Sequence, residues 1–141
     1  MTIVQWLLLP AFVHVLWLLF LARRMGAARV RAVRAGQVKI SDVALDSSRW
    51  PDDVRKLSNN YDNQFQLPML FYGLLPLLIL LVKVDRFTVA LAWAFIASRI
   101  VHSLIHTGDN VVIRRFQAFL FGFITVATMW GWFAIRLYVT G

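Results

Sequence analysis

Apolar residues fall in four long blocks separated by polar segments. Each block reaches or approaches the about 20 residues that cross a bilayer's hydrocarbon core. The pattern predicts spans over residues 3–22, 58–83, 87–106 and 112–139, with a polar connection over 23–57. The second span has a polar helical lead-in, "DDVRKLSNNYDNQFQ", before its apolar part, "LPMLFYGLLPLLILLV". "KVDR" is too short for anything but a tight turn, so spans two and three are antiparallel neighbours. The expected class is an all-α integral membrane protein, a four-helix bundle forming one domain over residues 1–141.

Local signals refine the boundaries. Pro10 falls inside span one and is a candidate kink, because it frees a carbonyl that neighbouring helices must satisfy. The segment after span one can extend the helix to about Arg34, with Gly36 as a left-handed stop. Pro51 suits a first helical position, and Asp52 and Asp53 complement the positive helix end that follows. Gly108 breaks the turn between spans three and four. Gly122 and Gly131 permit close helix approach, while Trp130, Trp132 and Tyr138 suit an interfacial belt.

Composition agrees with the pattern. Hydrophobic residues make up 60% of the 141, above the roughly 45–50% of soluble domains. The N-terminal block lacks a preceding basic region and is long for a leader, so it reads as a retained span. With no cysteine, disulfides, thiolate metal sites and a cysteine nucleophile are excluded. The net charge of +8 is distributed unevenly. Nine arginines and lysines lie between Arg23 and Lys56, and Arg114 and Arg115 follow span three. The other side has Lys83, Arg86 and Arg136. Positive charge marks the cytoplasmic side, so both termini are expected outside, on the periplasmic side of a bacterial inner membrane. The basic segments are also suited to anionic lipid head groups. No aromatic-interleaved basic patch or motif supports nucleic-acid binding.

Two polar stripes carry the candidate chemistry. Asn59, Asn63 and Gln66 fall within an arc of about 60° on a helix, with Asp62 at its edge. Arg99, His102, His106 and Asn110 fall within about 80°. Charged groups inside spans usually face a bundle interior or a wet cavity. Both stripes lie at the same end of the bundle, and the turn brings Arg114 and Arg115 to that level. Arginine forks match carboxylates, amides bind amide and ammonium groups, and histidine donates, accepts or shuttles protons. This inventory suits a small, anionic, peptide-like ligand. Helix–helix contact through the amides is the structural alternative. His102 and His106 also have a metal-compatible spacing. No carboxylate or cysteine completes a shell in the span, and a bis-histidine haem would need His14 or another chain. No metal is expected.

"NQFQLP" and "RIVHSLIH" carry a resemblance to the MAPEG family, membrane-associated proteins of eicosanoid and glutathione metabolism. The first is similar to the family's span-two Asn-x-x-Glu followed by proline. The second is similar to the span-three Arg-x-x-Tyr-x-x-x-Tyr of its glutathione-conjugating members. The histidines at the tyrosine positions resemble a bacterial branch. Over essentially the whole chain, the resemblance implies a homotrimer with glutathione as co-substrate, bound between subunits at the cytoplasmic face. It also implies a transferase or peroxidase acting on lipophilic electrophiles. Asn63 and Gln66 would be span-two ligands with Asn59 a turn before. Arg99, His102 and His106 would line the span-three wall, with Asn110 beyond. Arg115, or else Arg114, would stabilise the thiolate. Gln66 stands where the family usually has glutamate, and Asn59 where conjugating members have arginine. Those departures keep open a non-catalytic trimer whose pocket is structural or holds a lipid head group.

Overall fold

The computed structural model describes residues 1–139. Helix α1 spans Ile3–Arg34. Thr2 caps it: its hydroxyl accepts from the Gln5 amide at 3.2 Å, and the Gln5 side chain accepts from the Thr2 amide at 2.7 Å. This reciprocal box satisfies two of the amides that a helix start leaves free. Pro10 lies inside α1 without ending it. At about 1.5 Å per residue the helix measures roughly 48 Å, so its C-terminal third, rich in arginine, extends past an apolar core of about 30 Å. The helix ends where glycine allows it: Gly36 has φ +68°, and its amide donates to the Val33 carbonyl.

The connection expected over 23–57 is therefore much shorter than a loop of that length. The end of α1 fills its first part, the short helix α2 (Ile40–Val43) and a 3-10 turn (Ser47–Arg49) its middle. Helix α3 (Asp52–Gln66) takes up the polar lead-in, starting at the acidic pair expected to open it. Pro51 caps this helix instead of forming its first turn. A small apolar cluster of Ala28, Ala32, Val38 and Val54, with Trp50 and Leu57 against it, holds the connection on the extended part of α1.

Span two is divided. Helix α4 (Pro68–Leu80) follows α3 after Leu67, whose own backbone stays right-handed helical. Pro68 has no amide to donate to the Gln64 carbonyl, so the ladder breaks there. The Leu70 amide reaches back only to Leu67. The break separates a polar half from an apolar half. Helices α5 (Arg86–Thr107) and α6 (Val112–Tyr138) complete an antiparallel bundle. Four helical elements have the length and apolar composition to cross a membrane, α3 and α4 together supplying one.

The apolar core lies between α1, α4, α5 and α6, with Leu7, Phe71, Leu74, Leu78, Phe95 and Met129 fully buried. Phe71 and Phe95 stack with centroids 5.1 Å apart. Helix α5 packs most extensively on α6. They approach closely at Gly122, where a Cβ would meet the Ser98 hydroxyl at 2.6 Å. Gly131, the other glycine expected to permit close approach, faces open space. Far from the polar end, Asp85 joins the same two helices. Its carboxylate caps α5 by accepting from the Thr88 amide at 2.7 Å and takes the Trp132 indole N–H at 2.8 Å.

Candidate functional site

At the polar end, α3, α5 and the start of α6 enclose a cavity of about 520 Å³. Helix α3 contributes Asn59, Asp62, Asn63 and Gln66. Helix α5 contributes His102 and His106, and α6 contributes Val112, Arg115, Phe116 and Phe119. The two stripes read from helical spacing thus meet across one space. Its α3 wall is amide and carboxylate, its α5 wall imidazole, and its α6 wall a guanidinium beside aromatic rings.

Arg115 is half-buried and held: its Nη1 donates to the Asn110 side-chain oxygen at 2.9 Å. Asn110 adopts φ +55°, a left-handed conformation that asparagine tolerates better than most residues. It ends the turn after α5 and so ties the guanidinium to the mouth of the cavity. The Lys56 ammonium donates to the Gly108 carbonyl, which fastens α3 to that turn. His102 and His106 are buried, with ring centroids 5.9 Å apart, and the Nδ1 of each has no partner among the described residues. Donor and acceptor capacity on that wall is unspent.

Three expected site residues sit elsewhere. Arg99 is 1% exposed and does not line the cavity. It lies behind the wall, and its Nη2 donates to the Asn63 backbone carbonyl at 3.1 Å. The packing of α3 over it turns it inward, so it braces α3. Arg114 points outward to Asp109 at 3.3 Å, with both side chains at least half exposed. Adjacent helical residues diverge by about 100°, so only one arginine of this pair can face the cavity. Asn110 reaches the site through Arg115, without lining the space itself.

Helical periodicity also missed residues. Val112, Phe116 and Phe119 share the face of Arg115, and their spacing was a signal available in the chain. The aromatic rings are exposed, Phe116 at 55% and Phe119 at 36%, so the cavity's α6 side merges with apolar surface.

A second polar group lies deeper. His14 is fully buried, its Nδ1 2.9 Å from the Tyr72 hydroxyl and its Nε2 3.3 Å from the Gln64 Oε1. An amide oxygen only accepts, so Nε2 carries the proton and Nδ1 takes the Tyr72 hydroxyl hydrogen. The Gln64 amide nitrogen donates to the Asn60 carbonyl at 3.4 Å, and the Asn60 side chain donates to Ser103 at 2.9 Å. This chain of bonds links α1, α3, α4 and α5. It leaves His14 no free nitrogen for a shared site with His102 and His106. Among the described residues no three His, Cys, Asp or Glu side chains are grouped to hold a metal ion.

A search with family models matches residues 7–135 to the MAPEG family. No curated protein and no solved structure matches the chain significantly.

Proposed function

The chain belongs to the MAPEG family, and from that premise we propose that it is a glutathione-dependent transferase or peroxidase acting on lipophilic electrophiles. The observation that carries this reading is the cavity itself: peptide-binding amides face a held guanidinium, and aromatic rings open the same space toward the apolar surface. Asn59, Asn63 and Gln66 would bind the polar peptide. His102 and His106 would offer ring nitrogens to its backbone. Arg115, fixed by Asn110, would lie against sulfur.

In the reaction, the thiol proton leaves to solvent and the guanidinium stabilises the thiolate. The thiolate attacks an electrophilic carbon that enters past Phe116 and Phe119. A sulfur–carbon bond forms as the leaving group departs with its electron pair. With a hydroperoxide, sulfur takes the terminal oxygen as the O–O bond breaks and the other oxygen leaves as an alcohol, taking a proton from solvent. A second glutathione then displaces water from the sulfenic acid to give the disulfide. Neither path needs a covalent intermediate on the protein.

In this reading the protein is a homotrimer in the bacterial inner membrane, with both termini on the periplasmic side and the cavity facing the cytoplasm at a subunit boundary. Support comes from the basic residues gathered at the cavity's end of the bundle. Calorimetry on detergent-purified protein should detect glutathione, with a thiolate band in the ultraviolet. No heat at millimolar glutathione would refute the reading. The continuity of the cavity with exposed Phe116 and Phe119 favours a second reading, a non-catalytic trimer holding a lipid head group. Lipid that co-purifies and is not displaced by glutathione would favour that alternative.

A further inference from the structure

We infer that Asp62 and Arg29 form an amino-acid head-group subsite beside the main cavity, with Asp62 pairing with the ligand's ammonium and Arg29 with its α-carboxylate. The inference rests on the peptide-thiol reading above and assigns the charge that Gln66 does not carry.

The first observation is spatial. A smaller cavity of about 210 Å³ includes Arg29, Ser58 and Arg55 in its lining, and it shares Asn59 and Asp62 with the main cavity. The two spaces meet along one edge of α3. Asp62 is one helical turn before Gln66 and on its face. It is the carboxylate in the main cavity's lining.

The second observation concerns charge. Asp46, Asp52, Asp85 and Asp109 each have an arginine partner within the chain. Asp42 lies in the first turn of α2 and accepts from the Ser41 hydroxyl at 3.2 Å, and Asp53 occupies the first turn of α3, where the helix dipole supports a negative charge. Asp62 lies in the C-terminal third of α3, beyond that influence, and has no ion pair among the described residues. Its charge is free for a ligand.

Arg29 is poised in the opposite sense. Its Nη2 donates to the Ser58 hydroxyl at 3.0 Å, and its guanidinium lies over the Trp50 ring at 5.5 Å. The group is held in one orientation, yet it too has no ion pair among the described residues. A free α-amino-acid end carries ammonium and carboxylate on one carbon, so recognition needs an acid and a base side by side. The γ-glutamyl end of glutathione is such a group. From this subsite the peptide would run past Asn63 and Gln66 toward Arg115, leaving its sulfur at the aromatic side.

The test compares reduced glutathione with two analogues, one lacking the α-amino group and one lacking the γ-glutamyl α-carboxylate. Calorimetry is run on the wild-type, Asp62→Asn and Arg29→Gln proteins in detergent. Asp62→Asn should weaken glutathione roughly fivefold, the scale of a solvent-accessible ion pair, while binding the amino-less analogue as well as wild type does. Arg29→Gln should weaken glutathione by more, and bind the carboxylate-less analogue as wild type does, which also shows that the fold survives. Unchanged glutathione affinity in either variant overturns the subsite and leaves the glutathione reading standing. Equal weakening for glutathione and the matched analogue overturns it likewise. Wild-type protein that binds no glutathione removes the reading and this inference together.

Discussion

Asn60 and Gln64 are at most 1% exposed and join a bonded chain through His14, Tyr72 and Ser103. Asn59, Asn63 and Gln66 belong to the same helix, yet their side chains line an open cavity and have no hydrogen bond among the described residues. The two faces of α3 carry the same chemistry and differ in what satisfies it. On the inner face the described residues supply partners for every side-chain amide atom except the Asn60 Oδ1, so the amides fix helix positions. On the outer face the polar capacity is unspent, which is the condition for binding something else. Arg99 stands between these regimes. It is buried like the inner face, but only one of its nitrogens is bonded, to the Asn63 carbonyl.

Breaking the inner face should have the largest effect. Gln64→Leu strands the His14 N–H in the bundle and should cost about 2 kcal/mol of stability, read as a fall in thermal unfolding temperature in detergent. Asn63→Ala should leave that temperature nearly unchanged, since the contact with Arg99 uses the backbone, and should weaken glutathione. If both variants lose stability equally, the distinction between the faces fails. Gly122→Ala tests the packing beneath both: the new Cβ meets the Ser98 hydroxyl, which already donates to the Phe95 carbonyl at 2.6 Å. It should cost about 1–2 kcal/mol, with glutathione affinity following only the folded fraction. Arg115→Ala should abolish the thiolate band while changing glutathione affinity by less than tenfold, about 1.4 kcal/mol. A retained band would move that role to another group.

The smallest effect lies at the opposite end. Burial pushes the Asp85 carboxyl up, but hydrogen bonds from Thr88 and Trp132 and the charge of Arg136 outweigh it and hold the group below the ordinary carboxylate range. A depressed value in the folded state means that the carboxylate stabilises above the unfolded value near about pH 4. That stability is lost as pH falls through the folded value. Asp85→Asn should therefore flatten the acid limb of a stability–pH profile below about pH 4, with no change in glutathione binding at neutral pH. An acid limb unaltered by the substitution would dismiss Asp85 as its source.

Much of this arrangement was legible in the chain. Four apolar blocks gave the bundle, Gly36 marked the end of α1, and helical spacing placed Asn59, Asn63 and Gln66 on one face opposite His102 and His106. Periodicity fails where neighbours decide. Asn60 and Gln64 also form a face, but nothing local shows that His14, some fifty residues away, receives it. Arg99 shares its stripe with His102, and only the packing of α3 over it turns it inward. Arg114 and Arg115 are the same residue at adjacent positions, so the turn at Asn110, a tertiary feature, chooses between them. The start of α3 was legible from Asp52 and Asp53, whereas its support, Val54 packing on α1, comes from residues distant in the chain.

The exposed rings of Phe116 and Phe119 have a kinetic consequence. On the proposed reading, a lipophilic reactant arriving on that side would come from the two-dimensional solvent of the bilayer, while glutathione would arrive from water. Its effective concentration is then a mole fraction of the amphiphile phase. Adding detergent at fixed amounts of protein and electrophile should slow turnover by surface dilution and leave the glutathione dependence where it was.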